Sequence, residues 1–125
     1  MGNTTAKAFA GLKVQGDRID VAHAYKTVLN QNKASESNGS LMRCTPMAVY
    51  THLIGWEKAH QICSADVMFT HCAKNVIDAV FLYGQAIGYL IRHADHPNRA
   101  QEALEWCLNF SDKISNDVFD WIKLS

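Results

Sequence analysis

The sequence predicts an all-α fold, a compact bundle of about six or seven crossed helices forming one domain over residues 1–125. Apolar residues recur at helical spacing along almost the whole chain, and no stretch alternates apolar and polar residues between hairpin turns. A chain of 125 residues with 48% hydrophobic residues can bury a sizeable core. The sequence shows no internal repeat, which argues against a solenoid.

The first two helices are predicted on either side of a glycine. The first begins near Asn3-Thr4-Thr5, whose side chains are cap candidates, and it stops at Gly16 because glycine commonly ends a helix. The second runs from about Arg18 or Asp20 to Asn30 and turns its apolar side chains inward.

A connecting loop is predicted over residues 32–39, which are rich in Asn, Ser and Lys. The third helix begins at Ser40, and Pro46 should kink or break it because proline removes an amide donor and clashes with the preceding turn. This helix resumes after the proline and ends at Gly55. A fourth helix then covers about residues 56–68.

The longest predicted helix covers about residues 72–93 and follows the short junction Phe69-Thr70-His71. Its side chains are apolar on nearly every side, so it should lie buried at the centre of the bundle. Gly84 and Gly88 lie one turn apart on the same side of this helix, where another helix can approach closely.

Two shorter helices complete the prediction. The sixth carries Pro97 in its first turn and extends to about Lys113, and the last follows Ser115 or Asn116. The central helix has more apolar surface than these neighbours need to cover. We therefore expect other protein chains, or further sequence, to cover the surplus.

The charge balance and the cysteines limit the possible function classes. Twelve basic and twelve acidic residues give a formal net charge of zero, which disfavours a nucleic-acid partner because such proteins usually carry a basic excess. The longest strongly apolar run, residues 79–91, is too short to span a membrane. Four widely spaced cysteines, without a Cys-x-x-Cys motif or an export signal, predict reduced thiols and an intracellular, cytoplasmic location.

Metal-binding and nucleophilic patterns are weak in this sequence. Only His93 and His96 have the close spacing of zinc ligands, and polar loop histidines are the simpler interpretation. His71 and Cys72 are adjacent and should point in different directions, which favours a packed free thiol over a nucleophile. Asp78 is one of six aspartates scattered over residues 66–120, none of which forms a tight pair and most of which are interpreted as caps or surface residues. We therefore predict no catalytic residue and no metal ligand.

The segment from Ser37 to Pro46 combines a turn, a helix start and one charged side chain. Asn38 and Gly39 tolerate positive φ, and Ser40 can then act as an N-cap through its hydroxyl. The backbone N–H groups of such a helix start can bind a phosphate or another anion. An ordinary turn from a loop into a helix is the alternative, since these residues are common in turns.

Two further side chains are candidates for this site. His71 precedes the central helix, where its imidazole could donate to a phosphate, and a cap or a buried core histidine is the alternative. Arg43 lies three residues inside the predicted third helix, and a buried ion pair that holds this helix in place is its preferred interpretation.

These segments carry a family resemblance. The run Asn38 to Arg43, followed by Pro46, then Phe69-Thr70-His71 at the head of a long apolar helix, resembles the ADP-ribosylglycohydrolase family. Gly2-Asn3-Thr4-Thr5 is similar to the family's segment that precedes the Asn-Gly-Ser corner. The resemblance extends over nearly the whole chain, which would correspond to the middle of a complete family member.

The resemblance implies an all-α fold and removal of ADP-ribose from modified side chains with two magnesium ions. It places Asn38, Gly39 and Ser40 along an ADP-ribose cleft, with His71 as the opposite wall near the diphosphate or the distal ribose. It also implies that Met42 and Arg43 hold the corner in place.

The chain departs from the family pattern in its acidic residues. The family holds its magnesium ions with a Thr-Asp-Asp-Thr-type cluster upstream and an Asp-x-Asp-Thr-type cluster near the end, and neither occurs in this sequence. Two magnesium ions need several converging carboxylate oxygens. We therefore expect binding of ADP-ribose or a related nucleotide without hydrolysis by the isolated chain, and magnesium only if other segments complete the site. The alternatives are the middle of an active hydrolase and a purely structural helical subunit.

Overall fold

The computed structural model describes residues 2–124, of which most are helical. In this part of the chain the elements are α1 (Asn3–Ala10), β1 (Val14–Gln15), β2 (Arg18–Ile19), α2 (Val21–Gln31), α3 (Gly39–Met42), α4 (Thr45–Thr51), α5 (Trp56–Val67), α6 (Lys74–Arg92), α7 (Arg99–Leu108) and α8 (Asn116–Lys123). The all-α prediction is confirmed. The helices number eight among the described residues because the third predicted helix is divided in two.

The first helix is shorter than predicted. It ends at Ala10 with Gly11 as its C-cap, and the chain then forms a small antiparallel hairpin in which Val14 pairs with Ile19. Gly16 lies in the turn of this hairpin with φ of 66°, a backbone conformation that suits glycine. Two-residue strands are too short to show alternation in the sequence, which is why the pattern indicated only helix.

The predicted break near Pro46 is confirmed. It falls at residues 43–44, so that α3 ends at Met42 and the proline lies in the first turn of α4, where its missing N–H costs little. The predicted capping by Ser40 is wrong. Asn38 occupies the N-cap position without a side-chain cap bond, and Ser40 lies inside α3.

Helix α6 is the centre of the fold, as its composition predicted. It packs against α7, α4 and α5, and the side chains of Val80, Phe81 and Leu82 are buried in the main hydrophobic cluster. The rings of Phe81 and Phe110 meet edge to face with centroids 5.3 Å apart. No helix in the described residues combines the length and the apolar composition needed to cross a membrane.

The two glycines of α6 lie against α4 and its C-terminal end, which confirms the predicted close approach of another helix. A Cβ built at Gly84 would lie 3.7 Å from the Cβ of Ala48, an ordinary van der Waals contact. A Cβ built at Gly88 would lie 3.2 Å from the Cβ of His52 and 3.1 Å from Nη1 of Arg92, which is tighter than usual. The helices are therefore closest at Gly88.

This difference predicts unequal effects of the same substitution at the two sites. Gly84→Ala should raise the free energy of unfolding by about 0.5–1 kcal/mol, because alanine favours the helix and fits beside Ala48. Gly88→Ala gains the same propensity but forces His52 and Arg92 apart, so it should be less stable than Gly84→Ala by about 1 kcal/mol. Urea unfolding of both variants measures the difference, and equal stabilities would contradict the packing described here.

Helix α7 differs from the prediction at both ends, whereas α8 begins where it was predicted. Helix α7 begins at Arg99, two residues after Pro97, and it ends at Leu108 before a run of turns rather than extending to Lys113. The delay follows from the turn before it, where His96 N donates to the carbonyl of His93. The start of α8 is as predicted, since the Ser115 hydroxyl caps the helix.

Candidate functional site

Three distant segments meet beside the Asn38–Gly39–Ser40 corner. The Oγ1 atom of Thr4 in α1 lies 2.7 Å from Oγ of Ser35 in the loop before α3. Oγ of Ser37 in the same loop lies 2.9 Å from Nε2 of His71, which belongs to the junction before α6. The opening segment, the corner and the Thr70-His71 junction, which together carry the family resemblance, are therefore parts of one structural site.

A buried asparagine connects the same three segments by hydrogen bonds. The side-chain amide of Asn32 donates to the carbonyl of Thr4 at 2.9 Å and to the carbonyl of Thr70 at 3.0 Å. Asn32 is only 3% exposed, so both bonds are shielded from water. Sequence reasoning placed Asn32 in a loop and missed this role, because a loop asparagine gives no signal of its distant partners.

Gly39 is packed directly against the imidazole. A Cβ at this position would lie 3.3 Å from Oγ1 of Thr5 and 3.4 Å from Cε1 of His71. A larger residue would displace at least one of these groups. The glycine therefore permits the corner to approach His71 closely. This close approach is between two parts of the protein rather than between the protein and a ligand.

His71 is fully buried, and both of its ring nitrogens are engaged. Nδ1 lies 2.7 Å from Oγ1 of Thr70, and Nε2 faces Ser37. Burial, and secondarily the positive charge of Arg43, lowers the pKa of His71 below its ordinary value. The imidazole lies before α6, which starts at Lys74, and it turns back toward the corner.

Arg43 forms the predicted ion pair, but the pair is partly exposed rather than buried. Nη1 lies 2.6 Å from Oδ2 of Asp66, and Nη2 donates to the Asp66 carbonyl at 3.0 Å and to Oγ1 of Thr70 at 2.9 Å. These bonds join the end of α3 to the end of α5 and to the junction. Met42 does not share this role, since its side chain is 79% exposed.

A cavity of about 240 Å³ opens beside the corner, and its polar lining comprises Glu36, Ser37, Asn38, Ser40 and Asn75. Ser37 and Asn38 are exposed, whereas Ser40 is 1% exposed and its Oγ has no hydrogen-bond partner. An unpartnered buried hydroxyl is costly unless something bonds to it. The cavity therefore combines donors and one carboxylate in its polar lining with the buried, unpartnered hydroxyl of Ser40.

The predicted anion site at a helix start is not supported by the length of the helix. Helix α3 has only four residues, so few aligned peptide dipoles contribute to the field at its N-terminus. Binding at this corner would depend on side-chain hydroxyls, the Asn38 amide and individual N–H groups.

The acidic residues near the corner do not fit a magnesium site. Asp66 is paired with Arg43, while Glu36 and Asp117 both accept from the side-chain amide of Asn75, at 3.0 Å and 3.3 Å. Within residues 2–124 no group of three or more His, Cys, Asp or Glu side chains is arranged to hold a metal ion. Two magnesium ions require more carboxylate oxygens than converge here.

Asp78 is an exception among the aspartates, because it is buried rather than on the surface. Its side chain is buried in α6, where it accepts from the Ser115 backbone N–H at 2.7 Å and pairs with Lys74. Oδ1 also lies 4.0 Å from Nε2 of His60. Asp78 therefore anchors the start of α8, and the Lys74 four residues earlier was its one local signal.

His71 and Cys72 do not form a nucleophilic pair. The Cys72 thiol donates to the carbonyls of Val28 and Asn32, both at 3.7 Å, and burial raises its pKa. The nitrogens of His71 face two hydroxyls instead. All four cysteines are free thiols.

The lowered pKa of His71 predicts a loss of stability in acid. The folded state holds the imidazole neutral, whereas the unfolded chain takes up a proton near the ordinary value of 6.5. The contribution of His71 to the free energy of unfolding is therefore present above pH 6.5. It is lost as the pH falls through the lower pKa that His71 has in the folded state. Urea unfolding between about pH 7 and pH 5 should show a steeper loss for the natural protein than for His71→Gln. Equal slopes would contradict this assignment.

Comparison with known proteins agrees with the family resemblance inferred from the sequence. The sequence profile of the ADP-ribosylglycohydrolase family matches residues 1–123, nearly the whole chain. No curated protein and no solved structure matches the chain.

Proposed function

This chain belongs to the ADP-ribosylglycohydrolase family, and on that premise we propose that it binds ADP-ribose or a related nucleotide at the corner formed by Asn38, Gly39 and Ser40. The observations that support this proposal are the convergence of three distant segments at this corner and the cavity that opens beside Ser37, Asn38 and Ser40. His71 lies directly behind the corner and acts through Ser37, which is exposed.

The chemistry of the corner suits an oxygen-rich ligand. The amide of Asn38 and the hydroxyls of Ser37 and Ser40 can donate to phosphate or ribose oxygens. The apolar side of the cavity, which includes Leu41 and Val76, offers a surface for a base or a sugar face. The neutral His71 maintains a hydrogen-bond donor without adding a positive charge.

We propose that the isolated chain does not hydrolyse the glycosidic bond. Both acidic clusters of the family are missing from the sequence, and the carboxylates of Glu36, Asp66 and Asp117 are engaged by neighbouring side chains. The alternative is the middle segment of an active ADP-ribosyl hydrolase, completed by other segments or chains that carry the magnesium ligands. Activity that appears only after adding such a chain would favour this alternative.

Calorimetric titration with ADP-ribose, with and without magnesium, tests the binding proposal. We expect saturable binding in both conditions, and Asn38→Ala should weaken it by about fivefold or more because a charge-assisted donor is lost. Asn109→Ala, which alters an exposed asparagine at the end of α7, is the matched control and should bind normally. Absence of binding heat in the natural protein would refute the proposal.

A second candidate function is a helical subunit within a larger assembly. An apolar groove of about 490 Å³ lies between α6, α7 and α8, and Tyr83, Leu90 and Leu104 line it. Burying such a surface against another protein chain is favourable. Light scattering and binding of a hydrophobic dye test this candidate, and a monomer without exposed apolar surface would count against it.

A further inference from the structure

We propose that Thr70 and Arg43 fix the tautomer of His71, so that the imidazole carries its proton on Nε2 and presents it to the Ser37 hydroxyl. This inference deepens the proposed function and rests on it for its significance. The tautomer sets the direction of the hydrogen bonds at the corner where the ligand is proposed to bind. Thr70 and Arg43 are positioning residues that act through His71.

The direction starts at the guanidinium, which can only donate. Nη2 of Arg43 lies 2.9 Å from Oγ1 of Thr70, so the hydroxyl oxygen accepts this bond. The guanidinium is held in place by the carboxylate and the carbonyl of Asp66. Thr70 must therefore direct its own proton to another acceptor.

Thr70 has two acceptors within reach, and one is already occupied. The Val67 carbonyl lies 3.4 Å from the hydroxyl and already accepts the backbone N–H groups of Thr70 and His71, at 3.0 Å and 2.8 Å. Nδ1 of His71 lies only 2.7 Å away. Since a carbonyl oxygen has two lone pairs, the hydroxyl donates to Nδ1, which is then the unprotonated nitrogen.

A neutral imidazole with an unprotonated Nδ1 carries its hydrogen on Nε2. That nitrogen donates a hydrogen bond to Oγ of Ser37 at 2.9 Å, and the Ser37 hydroxyl donates a hydrogen bond to Oγ1 of Thr4 at 3.1 Å. Burial and the charge of Arg43 both lower the pKa of His71, which keeps the ring in the required neutral form. The exposed Ser37 hydroxyl is thereby set to donate, and a phosphate or ribose oxygen can replace Thr4 as its acceptor.

Long-range ¹H–¹⁵N correlation spectra of the full chain, labelled at histidine and free of ligand, test this directly. We expect an unprotonated Nδ1 and a protonated Nε2 for His71, with the signal assigned by its loss in His71→Gln. Thr70→Val should give a mixture of both tautomers, and Thr70→Ser should restore the natural state. Thr51→Val, which removes a hydroxyl that donates to Met47 within α4, is the matched control.

A protonated Nδ1 in the natural protein, or an unchanged tautomer in Thr70→Val, would overturn the proposal. Should Thr70→Val fail to fold, the spectra of the natural protein and of Thr70→Ser still decide it, because either can show the wrong tautomer. The spectra contain no ligand, so a failure of ADP-ribose binding would refute the proposed function and leave the tautomer assignment standing.

Discussion

Asp78→Ala is expected to lower the free energy of unfolding by about 3 kcal/mol. The carboxylate is buried in α6, and its removal leaves the Ser115 backbone N–H without its acceptor at the start of α8. Lys74 also loses its partner, although its side chain is exposed and regains water. Urea unfolding measures the change, and amide exchange should show the loss concentrated in α8.

Two variants control this result. Asp112→Ala removes an exposed carboxylate that pairs with the neighbouring Lys113, so its unfolding midpoint should stay unchanged. Asp78→Asn keeps an oxygen that can accept from Ser115 and should be more stable than Asp78→Ala. If Asp78→Ala unfolded like Asp112→Ala, Asp78 would not anchor α8.

Arg43→Met is expected to destabilise the protein by about 2 kcal/mol. The substitution leaves the Asp66 carboxylate and the Thr70 hydroxyl without their donor, while methionine retains much of the side-chain volume. Because the charge of Arg43 helps to lower the pKa of His71, this pKa should rise toward its ordinary value. Urea unfolding and an NMR titration of His71 measure the two effects.

The matched control is Arg99→Met, which removes an exposed arginine whose guanidinium donates to the carbonyl of His96. It should have little effect on stability and none on the pKa of His71. Arg43→Lys keeps the charge but cannot reproduce the forked set of bonds, so it should lie between Arg43→Met and the natural protein. A His71 pKa that stays low in Arg43→Met would show that burial alone lowers it.

The helical class and the central helix were predictable because they depend on local apolar spacing, which the sequence displays directly. Gly84 and Gly88 likewise signalled a close helix contact, and Pro46 signalled the break. The hairpin at Gly16 escaped prediction because its stability comes from a turn of a few residues rather than from a repeating pattern.

The sequence indicated candidate residues for the site but not the hydrogen bonds that join them. Asn38, Gly39 and His71 could be selected from the sequence, and the contact between Gly39 and His71 joins them in space. The buried roles of Asp78 and Asn32 could not be selected, because their partners lie 37 and 28 to 38 residues away. Long-range hydrogen bonds leave no periodic trace in a sequence.

The Asn32 amide also bears on the order in which the chain folds. Its bonds to the carbonyls of Thr4 and Thr70 close loops of 28 and 38 residues, whereas α6 and α7 pack across a short connection. Closing the longer loops costs more chain entropy, so the α6–α7 hairpin is expected to form first and the corner to assemble last. The corner proposed to bind the ligand would then be the part of the protein that opens first, without unfolding of the helical core.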